Sequence, residues 1–334
     1  MQVVLDKKMS EKFIEAMLGE GEVLGPVASE RGIVLEKYTP GSTLELDYDN
    51  FKLPLKRVFF PQCEMLARWD TSGIKETVTD DVSYVIFGAR PCDTKSLLQL
   101  DKVFTDDTFS DPYFERRRKN TLIISLACIT PADTCFCSST SGGPDGTDGT
   151  DILTYALEKV LLLTSVTEKG DAFLKKNNTL FKEPTAEEVE ESEKQAASAE
   201  EKLSTFHAAG VPEKLSGGID PQFWDTIAQT CLSCGACAFL CPTCHCFDLH
   251  DEKQKEDGAR IRIHDTCMFD SFVKEASGHN PRSKNGQRMK QRIMHKFSYT
   301  PENFGEIFCV GCGRCVNNCP SGIDIRETIS KVTL

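Results

Sequence analysis

The sequence predicts an α+β (or α/β) N-terminal domain followed by a mainly helical C-terminal domain. Three observations predict it. Short β-rich runs alternate with helical patterns and polar turns through the first half. Of 16 cysteines, five lie in residues 1–219 and eleven in residues 220–334. A stretch rich in Glu, Ala and Lys and poor in large apolar residues separates these regions. A chain of 334 residues is long enough for two domains.

In the first half, β-rich runs at Gly32–Lys37, Arg57–Phe60, Val82–Gly88, Thr121–Leu126, Ile152–Leu157 and Val160–Thr167 read as strands. Helical periodicity fits Ser10–Leu18, Cys92–Leu100 and Asp171–Lys176. The pattern does not order the strands. The Gly/Asp-rich segment at 141–151 reads as a loop. Its Asp145, Asp148 and Asp151 recur every third residue, which is not the spacing of an EF-hand, so a plain loop is favoured over a cation site.

The expected boundaries are an α/β domain at 1–182, an acidic helical linker at 183–218 and a cysteine-rich domain at 219–334. Within the linker, Glu183–Leu203 reads as an exposed helix capped near Thr185, with acids in its first turn. In the last domain, Phe223–Gln229 and Ile323–Lys331 read as helical.

Composition narrows the function classes. Charged residues at 27% and hydrophobic ones at 40% exclude a mostly disordered chain. Acids outnumber bases 51 to 39, a net charge of −12, which argues against a nucleic-acid partner. The longest apolar stretches, Val82–Ala89 and Leu122–Ile129, are too short for a membrane span. The opening MQVVLDKKMSEKF has its lysines after the apolar residues and lacks a small-residue cleavage site, so a cytoplasmic location is expected. In a reducing compartment many cysteines point to metal, clusters or catalysis rather than disulfides.

The second half contains an internal repeat. Cys231, Cys234, Cys237 and Cys241, followed by Pro242, recur as Cys309, Cys312, Cys315 and Cys319, followed by Pro320. C-x₂-C-x₂-C-x₃-C-P is the run that holds [4Fe–4S] clusters: three close cysteines wrap one cubane and the fourth ligates the other. Cys231, Cys234, Cys237 and Cys319 are therefore expected to hold one cluster, and Cys309, Cys312, Cys315 and Cys241 the second. Gly235, Gly311 and Gly313 let backbone N–H groups approach the sulfurs. The competing reading is paired zinc sites, but zinc usually takes two cysteine pairs separated by a longer loop. The long insert between the copies and the helical flanks favour a mainly helical 2[4Fe–4S] ferredoxin-like domain.

Eight cysteines remain. Cys92 follows the strand-like Val82–Gly88, Cys128 ends Thr121–Leu126, and Cys135 and Cys137 share the next loop. Cysteines at strand ends and an adjacent loop can converge in an α/β domain. These four are read as a third [4Fe–4S] site, with zinc or plain buried thiols as the alternatives. Cys244, Cys246 and Cys267 lie near the first repeat without an obvious fourth ligand; packing beside the cluster is favoured over a further metal site or tuning of the cluster. Cys63 has no partner in the pattern and is expected to pack.

Pro281–Lys296 carries Arg282, Lys284, Arg288, Lys290, Arg292 and Lys296 with no acid. Two oxidised cubanes with their thiolates add about −4, which nearby cations would offset while raising the cluster potentials. A solvated basic face is the alternative. Arg116–Arg118 with Lys119 reads as surface or partner-facing. No P-loop, no strand-to-helix G-x-G-x-x-G, no Ser-His-Asp or zinc-hydrolase motif and no paired sirohaem cysteines are present.

Taken together, PLKRVFFPQCEML (54–66), FGARPCDTKSLLQLD (87–101), CFCSS (135–139), CLSCGACAFLCPTCHCFD (231–248), GHNPR (278–282) and CVGCGRCVNNCP (309–320) span nearly the whole chain. In these segments it resembles the family of iron–sulfur electron-transfer subunits found in anaerobic sulfite reductases and, as the β subunit, in cytoplasmic [NiFe] sulfhydrogenases. The resemblance implies a non-catalytic electron-transfer subunit of an anaerobic oxidoreductase complex. Its partners would be a flavin-containing, NAD(P)H-oxidising subunit and a terminal catalytic subunit, whether hydrogenase, sulfite reductase or heterodisulfide-reductase-like. The alternatives are a redox enzyme acting on a sulfur substrate at the N-terminal cysteines, and a zinc-stabilised scaffold.

Overall fold

The computed structural model describes residues 1–76, 82–106, 108–204, 206 and 210–333. Positions 205 and 207–209 of the expected linker lie outside the described residues. In chain order the strands are β1 (Gln2–Asp6), β2 (Glu22–Ser29), β3 (Gly32–Lys37), β4 (Cys63–Asp70), β5 (Gly73–Glu76), β6 (Tyr84–Ala89), β7 (Thr121–Leu126), β8 (Ile152–Ala156), β9 (Val160–Ser165), β10 (Phe247–Gln254) and β11 (Asp257–His264). The helices are α1 (Ser10–Leu18), α2 (Lys56–Phe59), α3 (Pro91–Phe104), α4 (Pro112–Lys119), α5 (Glu168–Lys176), α6 (Ala186–Glu201), α7 (Val211–Ser216), α8 (Pro221–Ile227), α9 (Ala236–Phe239), α10 (Asn285–Met294), α11 (Thr300–Phe304), α12 (Arg314–Asn317) and α13 (Ile325–Thr333).

The chain divides into two units. The first comprises Met1–Leu55, Asp80–Thr205 and Val310–Cys312; the second comprises Lys56–Thr79, Phe206–Cys309 and Gly313–Leu334.

The first unit is built on a seven-stranded sheet in the order β1-β9-β8-β7-β6-β2-β3. Its centre is parallel, β2 with β6, β6 with β7 and β7 with β8, while β1, β3 and β9 pair antiparallel. Every residue of β7 is buried, as a central strand covered on both faces requires. Phe13 of α1 meets Phe87 of β6 and Phe173 of α5 edge-on in the main core. A separate cluster of Val4, Leu153, Tyr155 and Leu162 packs against Ala196 of α6. That helix starts as expected: Thr185 and Glu188 form a reciprocal capping box.

The second unit holds an antiparallel sheet in the order β10-β11-β4-β5. The cysteine-rich half, expected to be mainly helical, therefore contributes strands as well as helices. The insert between the repeats folds as the β10–β11 hairpin and pairs with β4 from residues 63–70. Every residue of β10 is exposed and the hairpin is strongly charged, so no buried alternation marks it in the sequence. Arg57–Phe60, expected as a strand, lies largely in α2, with Lys56 and Phe59 buried. Helix α10 runs through a π-helical turn at His295–Tyr299 into α11.

Candidate metal centres

Both copies of the repeat build the same turn. The residue before the second cysteine is left-handed in each, Ser233 at φ 53° and Gly311 at φ 61°. Gly235 (φ 74°) and Gly313 (φ 69°) are left-handed as well and precede the one-turn helices α9 and α12, which carry Cys237 and Cys315. A Cβ on Gly235 would lie 2.8 Å from the Phe269 ring, so both φ and space demand glycine. The turns aim amides at sulfur: Ser233 N–H donates to Cys231 Sγ at 3.4 Å, and Ile323 N–H to Cys319 Sγ at 3.2 Å.

Cys231, Cys234, Cys237 and Cys319 line one cavity in the second unit, together with Cys315 and Arg292. Its volume is about 40 Å³, several times the roughly 10–15 Å³ that one water needs. Met268, Met289 and Ile293 contribute to a lining that is mostly apolar. Burial pushes the Cys237 and Cys315 thiols up, against the opposing pull of Arg292. Arg292 is itself buried, and its Nε–H finds no hydrogen-bond acceptor among the described residues. Soft thiol donors, a mostly apolar lining and a buried cation with a spare N–H fit an anionic iron–sulfur cubane, whose iron would take the thiolates and whose sulfur would accept N–H.

Of the second expected set, Cys241, Cys309 and Cys315 belong to this unit and Cys312 to the first. Cys241 is buried and 3.1 Å from Lys296 Nζ. A hydrogen bond from Cys244 holds the Cys241 thiol well below its ordinary range despite burial, with Lys296 and Lys56 adding to the effect. Cys246 is likewise brought down to about 6, first by a hydrogen bond from Cys267. Cys267 is buried, and Cys244 and Cys246 are half-buried. Cys63, expected to pack, is exposed at the start of β4.

In the first unit the thiols gather at the C-terminal ends of parallel strands, the usual ligand edge of such a sheet. Cys92 sits in the first turn of α3 after β6, and Cys128 follows β7. Cys135 and Cys137 are buried beside Leu203. Burial first, and neighbouring thiols second, push both up to about 12; Cys128 acts on each of them. Cys128, Cys135 and Cys137 are thus close enough to influence one another. The Cys312 carbonyl joins them, 3.8 Å from Cys135 Sγ.

The RPCDTK run has a role that its sequence hid. Arg90 is fully buried over the Tyr48 ring and donates to the carbonyls of Asp49, at 3.0 Å, and Ala127, at 2.7 Å. Lys95 donates to the carbonyls of Thr140, at 3.2 Å, and Ser141. One side chain therefore holds the chain just before Cys128 and the other just after Cys137. Two charges so near a Cys-Asp pair were the available signal, because buried cations occur where carbonyls need fixing.

The Asp-rich loop does not gather its carboxylates. Asp145 accepts from Tyr155, Asp151 from Ile123 N–H and Thr167, and Asp148 lies 3.9 Å from Lys95. The cationic run divides in two. Arg288, Arg292 and Lys296, spaced by four, are buried, while Lys284 and Lys290 are exposed. Arg118 pairs with Asp101 at 2.8 Å. Among the described residues no three His, Cys, Asp or Glu side chains come together as ligands of a single metal ion. A cubane instead takes one thiolate on each of four separate irons.

The 4Fe-4S dicluster domain family matches residues 230–323. Over its length the chain is similar to sulfhydrogenase 2 subunit beta of Pyrococcus furiosus, at 31% identity across 334 residues, covering 99% of this chain and 98% of that protein. No helix among the described residues is long and apolar enough to cross a membrane.

Proposed function

The chain belongs to the iron–sulfur electron-transfer subunit family that includes the sulfhydrogenase β subunits, and from that premise we propose that it relays electrons between a flavin-containing, NAD(P)H-oxidising subunit and a terminal catalytic subunit. Cys231, Cys234, Cys237 and Cys319 would hold one [4Fe–4S] cluster, and Cys309, Cys312, Cys315 and Cys241 a second. Cys92, Cys128, Cys135 and Cys137 would hold a third. When bound, the clusters supply one-electron carriers. The chain's own residues hold the thiolates in place and offset charge.

The observation that carries this reading is the presence of a thiol set in each unit of one chain. A relay between two partners needs an entry and an exit, whereas a single-substrate enzyme needs one site. The terminal partner would be a hydrogenase, a sulfite reductase or a heterodisulfide-reductase-like subunit.

The test is anaerobic purification with the copurifying subunits, followed by addition of NADH or NADPH. The cluster absorption of this chain should bleach with the flavin subunit present and stay unchanged in the isolated chain. Turnover of a sulfur substrate by the isolated chain would favour the enzymatic reading instead.

A further inference from the structure

We propose that Lys296 is a positioning residue for electron transfer: its buried ammonium hydrogen-bonds the Cys241 sulfur and raises the reduction potential of the cluster that Cys241 helps to hold. The inference rests on the reading of Cys241 as a ligand.

Lys296 is 4% exposed and lies in the π-helical turn His295–Tyr299. A π-turn inserts an extra residue into a helix and re-aims the side chains that follow, which is why such turns concentrate at functional positions. The Lys296 ammonium has three acceptors around it: Cys241 Sγ at 3.1 Å, Thr243 Oγ1 at 2.8 Å and the Phe308 carbonyl at 3.0 Å. An ammonium has three protons, so all three are accounted for and the group is fixed in orientation. Thr243 in turn donates to the Phe308 carbonyl at 2.7 Å and stands 3.2 Å from Cys241 Sγ.

Two further sulfur contacts in the repeats are of a different kind. Cys231 and Cys319 receive neutral backbone amides. A charged donor makes a hydrogen bond roughly twice as strong as a neutral one. A positive charge beside a ligand sulfur also favours the reduced, more negative state. The second buried lysine of this unit, Lys56, shows the contrast. Its ammonium donates to the Cys244 carbonyl at 2.6 Å and lies 3.4 Å from His264 Nε2, so it is aimed at backbone rather than at a ligand sulfur. Lys296 keeps its proton as one electron arrives; no bond forms or breaks at Nζ, and the ammonium balances the added charge.

The experiment is an EPR-monitored redox titration of the anaerobically purified full chain, with Lys296→Met, Lys296→Arg and Cys241→Ser beside the parent. Cys241→Ser identifies the affected cluster by loss of iron or a changed signal. That cluster should titrate at lower potential in Lys296→Met and stay nearer the parent in Lys296→Arg, with the other clusters unmoved. An unchanged potential in a Lys296→Met chain of full iron content would overturn the proposal. If Cys241→Ser leaves every cluster intact, the ligand reading has failed instead. If Lys296→Met does not fold, the parent decides: ¹⁵N-lysine labelling should produce nitrogen hyperfine coupling on a reduced cubane, and its absence from all of them would overturn the proposal.

Discussion

The amide of Phe136 donates to the carbonyl of Gly311 at 2.8 Å, tying the loop between Cys135 and Cys137 to the turn between Cys309 and Cys312. Gly311 is left-handed, and a Cβ there would lie 2.5 Å from Cys137 N and from the Phe136 carbonyl. Both neighbours are backbone, so neither can swing aside. Gly311→Ala should therefore cost about 2–4 kcal/mol from the left-handed conformation and the overlap combined. Anaerobic thermal unfolding checks this, with iron content measured alongside. A variant as stable as the parent would show that the contact is not held in solution.

Exchange of the fourth ligand between the motifs predicts a crossed phenotype. Cys241→Ser should damage the cluster of Cys309, Cys312 and Cys315, and Cys319→Ser that of Cys231, Cys234 and Cys237, because the fourth thiolate lies beyond the three-cysteine turn and reaches the other cubane. Iron analysis and EPR of each variant decide it. Damage confined to the mutated motif's own cluster is the opposing outcome.

A third cluster in the first unit predicts about twelve irons per fully reconstituted chain, falling to about eight in the Cys135→Ser/Cys137→Ser double variant. The full chain is the right material. In a fragment ending at 182, β4 would lack β11, its partner in the four-stranded sheet. Equal iron in parent and variant would remove these two thiols from the ligand set.

Glu64 of β4 and Arg262 of β11 form a buried ion pair, their side chains 5% and 3% exposed. Glu64→Ala would leave the guanidinium uncompensated and should cost roughly 3–5 kcal/mol. Replacing both residues by Leu and Met should cost much less. Denaturant unfolding under anaerobic conditions compares the two.

His264 supplies a pH dependence. Burial first, then Lys56, lowers its pKa from 6.5 to about 3. The unfolded chain therefore binds this proton near pH 6.5 and the folded chain does not, so stability falls as pH drops through that window. The loss is about 2 kcal/mol by pH 5. His264→Gln lacks the titration, so its stability relative to the parent should improve between pH 7.5 and pH 5. A difference independent of pH would refute this.

The 4Fe-4S dicluster motif was legible in the sequence because its cysteine spacing is local. Three cysteines at x₂ spacing can wrap one cubane whatever surrounds them, so the motif, its glycines and its exit prolines carry the reading without tertiary context. Helix α1, strand β3 and the Thr185 cap were legible for the same reason: each depends on neighbours within a few residues. Non-local pairing was not. Strand order, the union of β4 with β11, and the conversion of Arg57–Phe60 to helix depend on partners up to about 200 positions away, which periodicity does not encode. The division of the basic run was likewise decided only by folding. Arg288, Arg292 and Lys296 share a residue class with Lys284 and Lys290. Which of them meets sulfur and which meets water follows from the helical turn, the π-insertion and the position of the cysteines in space.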